Sequence, residues 1–147
     1  MAQLTDIVAV VVAALNLLAG ALGAHAWWYG EAGPAFWRAV RAGQLATTAP
    51  AVLAGVLLVS GFDASDNLLY LYLVLPVVVS IIAEQLRLAS AQTVLDQREL
   101  EDAQAVGELP EPEQLEIVRA IMRREAGVMT IAAFVIAFLA LRVLGTA

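Results

Sequence analysis

The residues of this chain that could do chemistry are few, and most are charged side chains near the ends of long apolar stretches. Arg38 and Arg41 are three residues apart, so on a helix they share one face and can hold a carboxylate or a phosphate with several N–H donors. Glu84 and Arg87 have the same spacing. We expect an anion-binding site at one end of the molecule, formed by six charged residues: Arg38, Arg41, Glu84, Arg87, Arg123 and Arg124.

The same arginines also admit an explanation without a ligand. Basic residues that flank membrane helices commonly contact lipid headgroups, and these arginines can form ion pairs with Glu84 and Glu125. The sequence leaves both explanations open.

Three uncharged polar residues within apolar stretches form a second candidate group: Asn16, Thr47 and Thr48. Polar side chains are costly to bury in lipid, so they face protein or a water-filled cavity. Asn16 is expected to hydrogen-bond across helices and hold them together. In the alternative, the three residues line the axis of a small oligomeric channel.

The sequence carries no pattern of a known catalytic or metal centre. It has one histidine, His25, and no cysteine, so neither a zinc site nor a pair of haem ligands is expected. Nucleophile elbows, phosphate-binding glycine loops and paired catalytic carboxylates are also missing. We expect no catalytic residue, metal or cofactor from these motifs, and whether the chain is an enzyme stays open.

The composition places these residues in a membrane. Of the 147 residues, 61% are hydrophobic and 15% are charged, with a mean hydropathy of +0.80. Soluble domains are roughly 45–50% apolar and about 25% charged, and a soluble chain of this size cannot bury so much apolar surface. A formal net charge of −6 without clustered basic residues excludes a nucleic-acid partner.

Four apolar stretches approach the roughly 20 residues with which a helix crosses a bilayer. We expect an all-α four-helix membrane bundle that forms one domain over residues 1–147, with spans at about 4–26, 42–62, 67–84 and 126–144. Apolar residues recur at helical spacing between the last two spans, as in Leu115, Val118 and Met122. Residues 85–125 should therefore extend the third and fourth helices as a cytoplasmic hairpin.

Orientation follows from the arginines, because short cytoplasmic loops are enriched in basic residues. Seven of the eight arginines lie between spans one and two or between spans three and four. We expect this end to be cytoplasmic and both termini to be outside, in a protein of the bacterial inner membrane. A cleaved signal peptide is the alternative for the first span, since Ala24, His25 and Ala26 are similar to a cleavage site.

Two seams of small residues run along the first and fourth spans. Small residues let helix backbones approach closely in lipid. The seams are expected to pack within one chain or between copies, and such a small unit is expected to form a homo-oligomer. The seam residues are Ala9, Ala13, Asn16, Gly20 and Gly23, and Ala126, Thr130, Ala133, Ala137 and Ala140.

The start of the second span resembles the MAPEG family, the membrane-associated proteins of eicosanoid and glutathione metabolism. The resemblance rests on residues 30–33, Gly-Glu-Ala-Gly, and on residues 36–42, Phe-Trp-Arg-Ala-Val-Arg-Ala. It implies a trimer of four-helix chains that binds glutathione at the cytoplasmic end, with Arg38 and Arg41 at the matching positions. Trp37, Leu45 and Thr48 replace the Glu, Asn and Glu of the family's pattern, so the resemblance implies binding without implying catalysis.

These observations predict a homo-oligomeric membrane protein that contacts lipid and binds an anionic or lipid-like ligand at its cytoplasmic interface. Two alternatives stay open. One is a small channel or transporter subunit. The other is a scaffold whose acidic hairpin, with eight acids and one arginine over residues 96–116, docks a cytoplasmic partner.

Overall fold

The computed structural model describes residues 2–62 and 68–144. Within these residues the chain is helical and contains no strand. The turn expected between the second and third spans falls mainly on residues 63–67, outside the described residues, as do residues 145–147 at the C-terminus. The helices are α1 (Ala2–Tyr29), α2 (Pro34–Ala46), α3 (Thr48–Val59), α4 (Leu68–Leu88), α5 (Ser90–Gln97), α6 (Ala103–Gly107) and α7 (Glu111–Val143).

Four helical segments in the described part of the chain are long and apolar enough to cross a membrane, which confirms the predicted number of spans. They are Gln3–Tyr29, Pro34–Val59, Leu68–Gln97 and Glu111–Val143. Large apolar side chains such as Leu18, Val59 and Phe138 are exposed along their outer faces. Membrane helices present such a surface to lipid, because lipid replaces the protein core as the apolar partner.

Prolines and glycines set the boundaries of the second segment. Gly30 ends α1 with a φ of +81°, a left-handed conformation that glycine adopts without strain. Pro34 then begins α2, where its missing N–H has no helical partner to lose. Pro50 lies in the first turn of α3 and interrupts the helix at Thr47, since its ring excludes the carbonyl group four residues earlier.

The third and fourth segments are longer than a membrane is thick. At 1.5 Å per residue, the 33 residues of α7 extend over about 50 Å, compared with a hydrocarbon core of about 30 Å. The N-terminal part of α7 packs on α5 around Val94, Leu95 and Ile117, which are buried. Leu115 and the predicted stripe that contains it are exposed, so a different face of this helix makes the contact.

The main helix contact in the described chain joins α1 to α7, and α7 also packs on α4. Every residue of the two small-residue seams is buried. A side chain at Gly23 would lie 2.1 Å from Thr130 Oγ1 and 2.7 Å from the Phe36 ring. The seams therefore pack against each other within one chain, where small residues permit the close approach of α1 and α7.

Adding one methyl group tests this close packing. We expect Gly23→Ala to lower the free energy of unfolding by about 1–3 kcal/mol, because the new Cβ overlaps Thr130 and Phe36. Gly55→Ala is the matched control. Gly55 lies within α3 with no atom near the position of an added Cβ, so the more helix-favouring alanine should raise stability by up to about 1 kcal/mol. Unfolding in detergent micelles, followed by circular dichroism, measures both values, and equal effects would contradict the packing.

Candidate functional site

The Glu84 carboxylate is the centre of a polar cluster that joins two helices. Arg41 Nη1 lies 2.5 Å from Glu84 Oε1 and donates a second hydrogen bond to Gln44 Oε1 at 2.8 Å. Gln44 Nε2 donates to the same Glu84 oxygen at 2.9 Å, and Arg87 Nε donates to Glu84 Oε2 at 2.8 Å. Arg41 and Gln44 belong to α2, whereas Glu84 and Arg87 belong to α4.

Arg87 extends this cluster to a third helix. Its Nη1 atom lies 3.9 Å from Glu125 Oε2 of α7. Two arginines are therefore compensated by two carboxylates, and the cluster ties α2, α4 and α7 together at one end of the molecule. We refer to Arg41, Gln44, Glu84, Arg87 and Glu125 as the Glu84 cluster.

Beside the Glu84 cluster, a groove of about 450 Å³ runs between α2–α3 and α4. We call it the α2–α4 groove. Its polar end is formed by Arg41, Gln44 and Glu84, and its outer walls carry apolar side chains. Leu45 and Ile81, on these walls, are 71% and 56% exposed. The further lining residues are Thr47, Thr48, Val77, Ser80 and Gln85.

Ser80 is the one residue of the groove whose buried hydroxyl group lacks a partner. Its side chain is 8% exposed, and Ser80 Oγ makes no hydrogen bond to any of the described residues. A buried hydroxyl without a hydrogen bond costs about 1–3 kcal/mol of stability. Native proteins satisfy nearly all such groups, so Ser80 is an exception among the described residues.

The three uncharged polar residues of the sequence prediction occupy different environments. Asn16 is buried, and its Nδ2 atom donates to the carbonyl groups of Val12 at 2.9 Å and Gly43 at 3.3 Å. It thereby joins α1 to α2 within the chain. Thr47 and Thr48 line the α2–α4 groove, but their hydroxyl groups donate to the carbonyl groups of residues 44 and 45, beside the bend at Pro50.

The six charged residues of the sequence prediction do not form one cluster. Arg41, Glu84 and Arg87 come together as expected for ion pairing, while Arg38 is exposed and forms no ion pair within residues 2–62 and 68–144. Arg123 and Arg124 line a different groove of about 520 Å³, together with Trp27 of α1. We call this second one the basic groove.

Among the residues of the α2–α4 groove that sequence reasoning missed are Gln44 and Ser80. Gln44 follows Arg41 by three residues, and Ser80 precedes Glu84 by four, so each shares a helix face with a charged residue that was recognised. That spacing was the available signal. The missing hydrogen bond of Ser80 has no signal in the sequence, because it depends on what α2 places opposite α4.

The groups that line the α2–α4 groove are hydrogen-bonding and apolar side chains. No group of three or more histidine, cysteine, aspartate or glutamate side chains in the described chain is placed to hold a metal ion. The groove offers instead guanidinium donors at one end, a hydroxyl group within it and apolar walls. That combination is suited to a molecule with a polar head and an apolar tail.

Comparisons with protein-family models, with curated proteins and with solved structures find no match to this chain. The MAPEG resemblance therefore stays a prediction, as do the trimer and the glutathione site that it implies. The function of the grooves has to be argued from their own geometry.

Proposed function

We propose that this chain is an integral membrane protein that binds a lipid-like amphiphile with an anionic head in the α2–α4 groove. The observation that carries the proposal is Ser80, a buried hydroxyl group without a partner that borders a groove with one polar end and apolar walls. The head would contact Arg41, and a second polar atom of the ligand would contact Ser80 once its hydroxyl group, which is closed off from the groove in the free protein, rotates toward the groove. Binding and not turnover is the proposed activity.

The numbers of hydrogen-bond donors and acceptors at Glu84 and Arg41 favour a ligand with an anionic head. Both oxygens of Glu84 already accept hydrogen bonds, from three donor groups in total. Arg41 uses only Nη1 in these bonds, and its side chain is 53% exposed. The other N–H groups of Arg41 make no hydrogen bond to the described residues, and a carboxylate or phosphate head in the groove would give them an acceptor.

The tail of the ligand would lie along the apolar walls. The groove has the volume of a small-molecule site, for which about 300–1,000 Å³ is usual. Its exposed residues Leu45 and Ile81 would adjoin the lipid hydrocarbon, so an amphiphile could enter sideways from the bilayer. Ser80 precedes Glu84 by one helical turn, about 6 Å along the axis, which suits a carbonyl or hydroxyl group just below the head.

The proposal includes the orientation predicted from the arginines. The Glu84 cluster brings Arg41 and Arg87 to the same end of the molecule, although they come from different connecting segments. Arg142 lies near the opposite end of α7, where its guanidinium group is 5.6 Å from the centre of the Tyr72 ring. Applied to this distribution, the positive-inside rule makes the Glu84 end cytoplasmic.

The first test is the stability of serine variants without added ligand. Ser80→Ala should raise the free energy of unfolding by about 1 kcal/mol or more, because it removes a buried hydroxyl group that has no partner. Ser90→Ala is the control, since Ser90 is also buried but donates to the Leu86 carbonyl at 3.0 Å. Loss of the Ser90 hydroxyl group should leave the free energy of unfolding unchanged or reduce it by up to about 1 kcal/mol.

The sign of the Ser80 effect is decisive. Ser80 also borders a small cavity of about 10 Å³, at the lower limit for one water molecule. If a structural water satisfied the hydroxyl group, Ser80→Ala would lose stability as Ser90→Ala does. Chemical unfolding in detergent measures both variants, and a loss would contradict the ligand role of Ser80.

The second test is photo-crosslinking with β-hydroxypalmitate that carries a diazirine group in its chain, because this probe has a carboxylate head and a hydroxyl group just below it. Labelling mapped by mass spectrometry should fall on the walls of the groove, around Leu45, Val77 and Ile81, and excess unlabelled β-hydroxypalmitate should suppress it. Ser80→Ala and Arg41→Gln should each weaken the suppressible labelling by roughly 3- to 10-fold, because each variant loses one or two hydrogen bonds to the ligand.

Arg119→Gln is the control for the crosslinking, because Arg119 is an exposed arginine of α7 outside the α2–α4 groove. Its labelling should equal that of the wild type. Labelling that unlabelled β-hydroxypalmitate does not suppress would indicate only contact with bulk lipid. That result, or equal suppression in all variants, would overturn the proposed site.

The third test addresses the orientation in the membrane. Because the sequence contains no cysteine, each introduced cysteine is the single thiol that a maleimide can label. Single cysteines at Gln3 and Gln104, both exposed, report on the two ends of the molecule. A membrane-impermeant maleimide should label Gln3→Cys in intact spheroplasts and Gln104→Cys only after lysis. The reverse pattern would refute the orientation and leave the groove unaffected.

A further inference from the structure

The basic groove contains an uncompensated positive charge. Arg98, Arg123 and Arg124 line it, and no acidic residue does. Arg98 lies 2.9 Å from Glu116 Oε1, whereas Arg123 and Arg124 form no ion pair within the described chain. The groove therefore differs from the Glu84 cluster, where carboxylates balance the arginines. It attracts an anion, and guanidinium groups favour phosphate because their N–H geometry matches its oxygens.

Trp27 forms one wall of the basic groove. Its indole ring packs over Gly127 of α7, and a Cβ added at Gly127 would be 3.6 Å from the ring nitrogen. The ring is nevertheless 44% exposed. Tryptophan favours the headgroup layer of a bilayer, since it combines an apolar body with one N–H donor. Trp27 thus places the arginines of this groove at headgroup depth.

The basic groove continues into an apolar one. Val128 and Ile131 line both the basic groove and a second groove of about 250 Å³ between α4 and α7. The lining of this α4–α7 groove consists entirely of apolar side chains, including Val79, Ile82 and Val135. The basic groove therefore leads into the α4–α7 groove, which is apolar and runs along the outer surface of two membrane helices.

We propose that these two grooves together bind an anionic glycerophospholipid, distinct from the ligand of the α2–α4 groove. Its phosphate contacts Arg123 and Arg124, its glycerol region packs against Trp27, and an acyl chain follows Val128 and Ile131 into the α4–α7 groove. Inorganic phosphate offers the same charged group. The shared apolar lining favours the lipid, because a free phosphate gains nothing from it.

The test compares lipids retained by the purified protein. We expect native mass spectrometry, after extraction from bilayers of equal parts phosphatidylglycerol and phosphatidylcholine, to show at least a fivefold preference for phosphatidylglycerol. The double variant Arg123→Gln/Arg124→Gln should reduce bound phosphatidylglycerol by on the order of 10-fold, through the loss of charge-assisted hydrogen bonds. Trp27→Leu should reduce it less.

Matched controls separate a site from general electrostatic attraction. Arg38→Gln/Arg119→Gln removes the same charge at the same end of the molecule outside both grooves, and Trp28→Leu removes a more exposed tryptophan next to Trp27. Both controls should retain the wild-type preference. An equal loss in the double control would overturn the proposal, because it would show that net charge alone attracts the lipid.

A second arm separates the two sources of phosphate. Inorganic phosphate at 10-fold excess over the lipid should leave phosphatidylglycerol bound, whereas phosphatidylglycerol added in short-chain form should displace it. Displacement by inorganic phosphate would show that the groove binds the free anion, and the lipid assignment would be wrong. Because crosslinking to the α2–α4 groove is measured separately, this failure is distinguishable from failure of the proposed function.

Discussion

The rest of the structure depends on one constraint: a polar group in a membrane helix needs a partner within the protein, because lipid offers none. The bend at Thr47 illustrates it. Pro50 breaks the helical hydrogen bonding, and the hydroxyl groups of Thr47 and Thr48 donate to nearby carbonyl groups. Glu84 meets the same need with three donor groups. Against this background, Ser80 is the exception among the described residues, because its buried hydroxyl group has no partner.

Close packing explains why the grooves lie at the edges of the molecule. The small residues of α1 and α7 bring the two backbones together, as the overlap of an added side chain at Gly23 with Thr130 demonstrates. The interior beside Asn16 retains a cavity of only about 10 Å³. The grooves lie instead between neighbouring helices on the outer surface, where Leu45, Ile81 and Ile131 are exposed. A ligand from the bilayer would reach such grooves without opening the helix packing.

The sequence predicted those features that depend on composition and local chemistry. Apolar length predicted the four segments, and the seams of small residues in α1 and α7 identified buried faces. The sequence did not predict which charged side chains of α7 join the Glu84 cluster and which line the basic groove. That depends on how α7 is rotated about its axis relative to the other helices. The burial of Ile117 in place of Leu115 has the same cause, since both residues are apolar and spacing alone cannot choose between them.

Charge compensation then distinguishes arginines that hold helices from those that can hold a ligand. Arg87 forms ion pairs with both Glu84 and Glu125, so its positive charge stabilises the contact between helices. Arg123 and Arg124 have no such carboxylate among the described residues, and they border an apolar path. Arg41 lies between these two cases. Its Nη1 atom donates to Gln44 and Glu84, while about half of its side chain is exposed. An anionic head at Arg41 would therefore add a contact without breaking the Glu84 cluster, which is how a site can bind ligand while the helices around it stay in place.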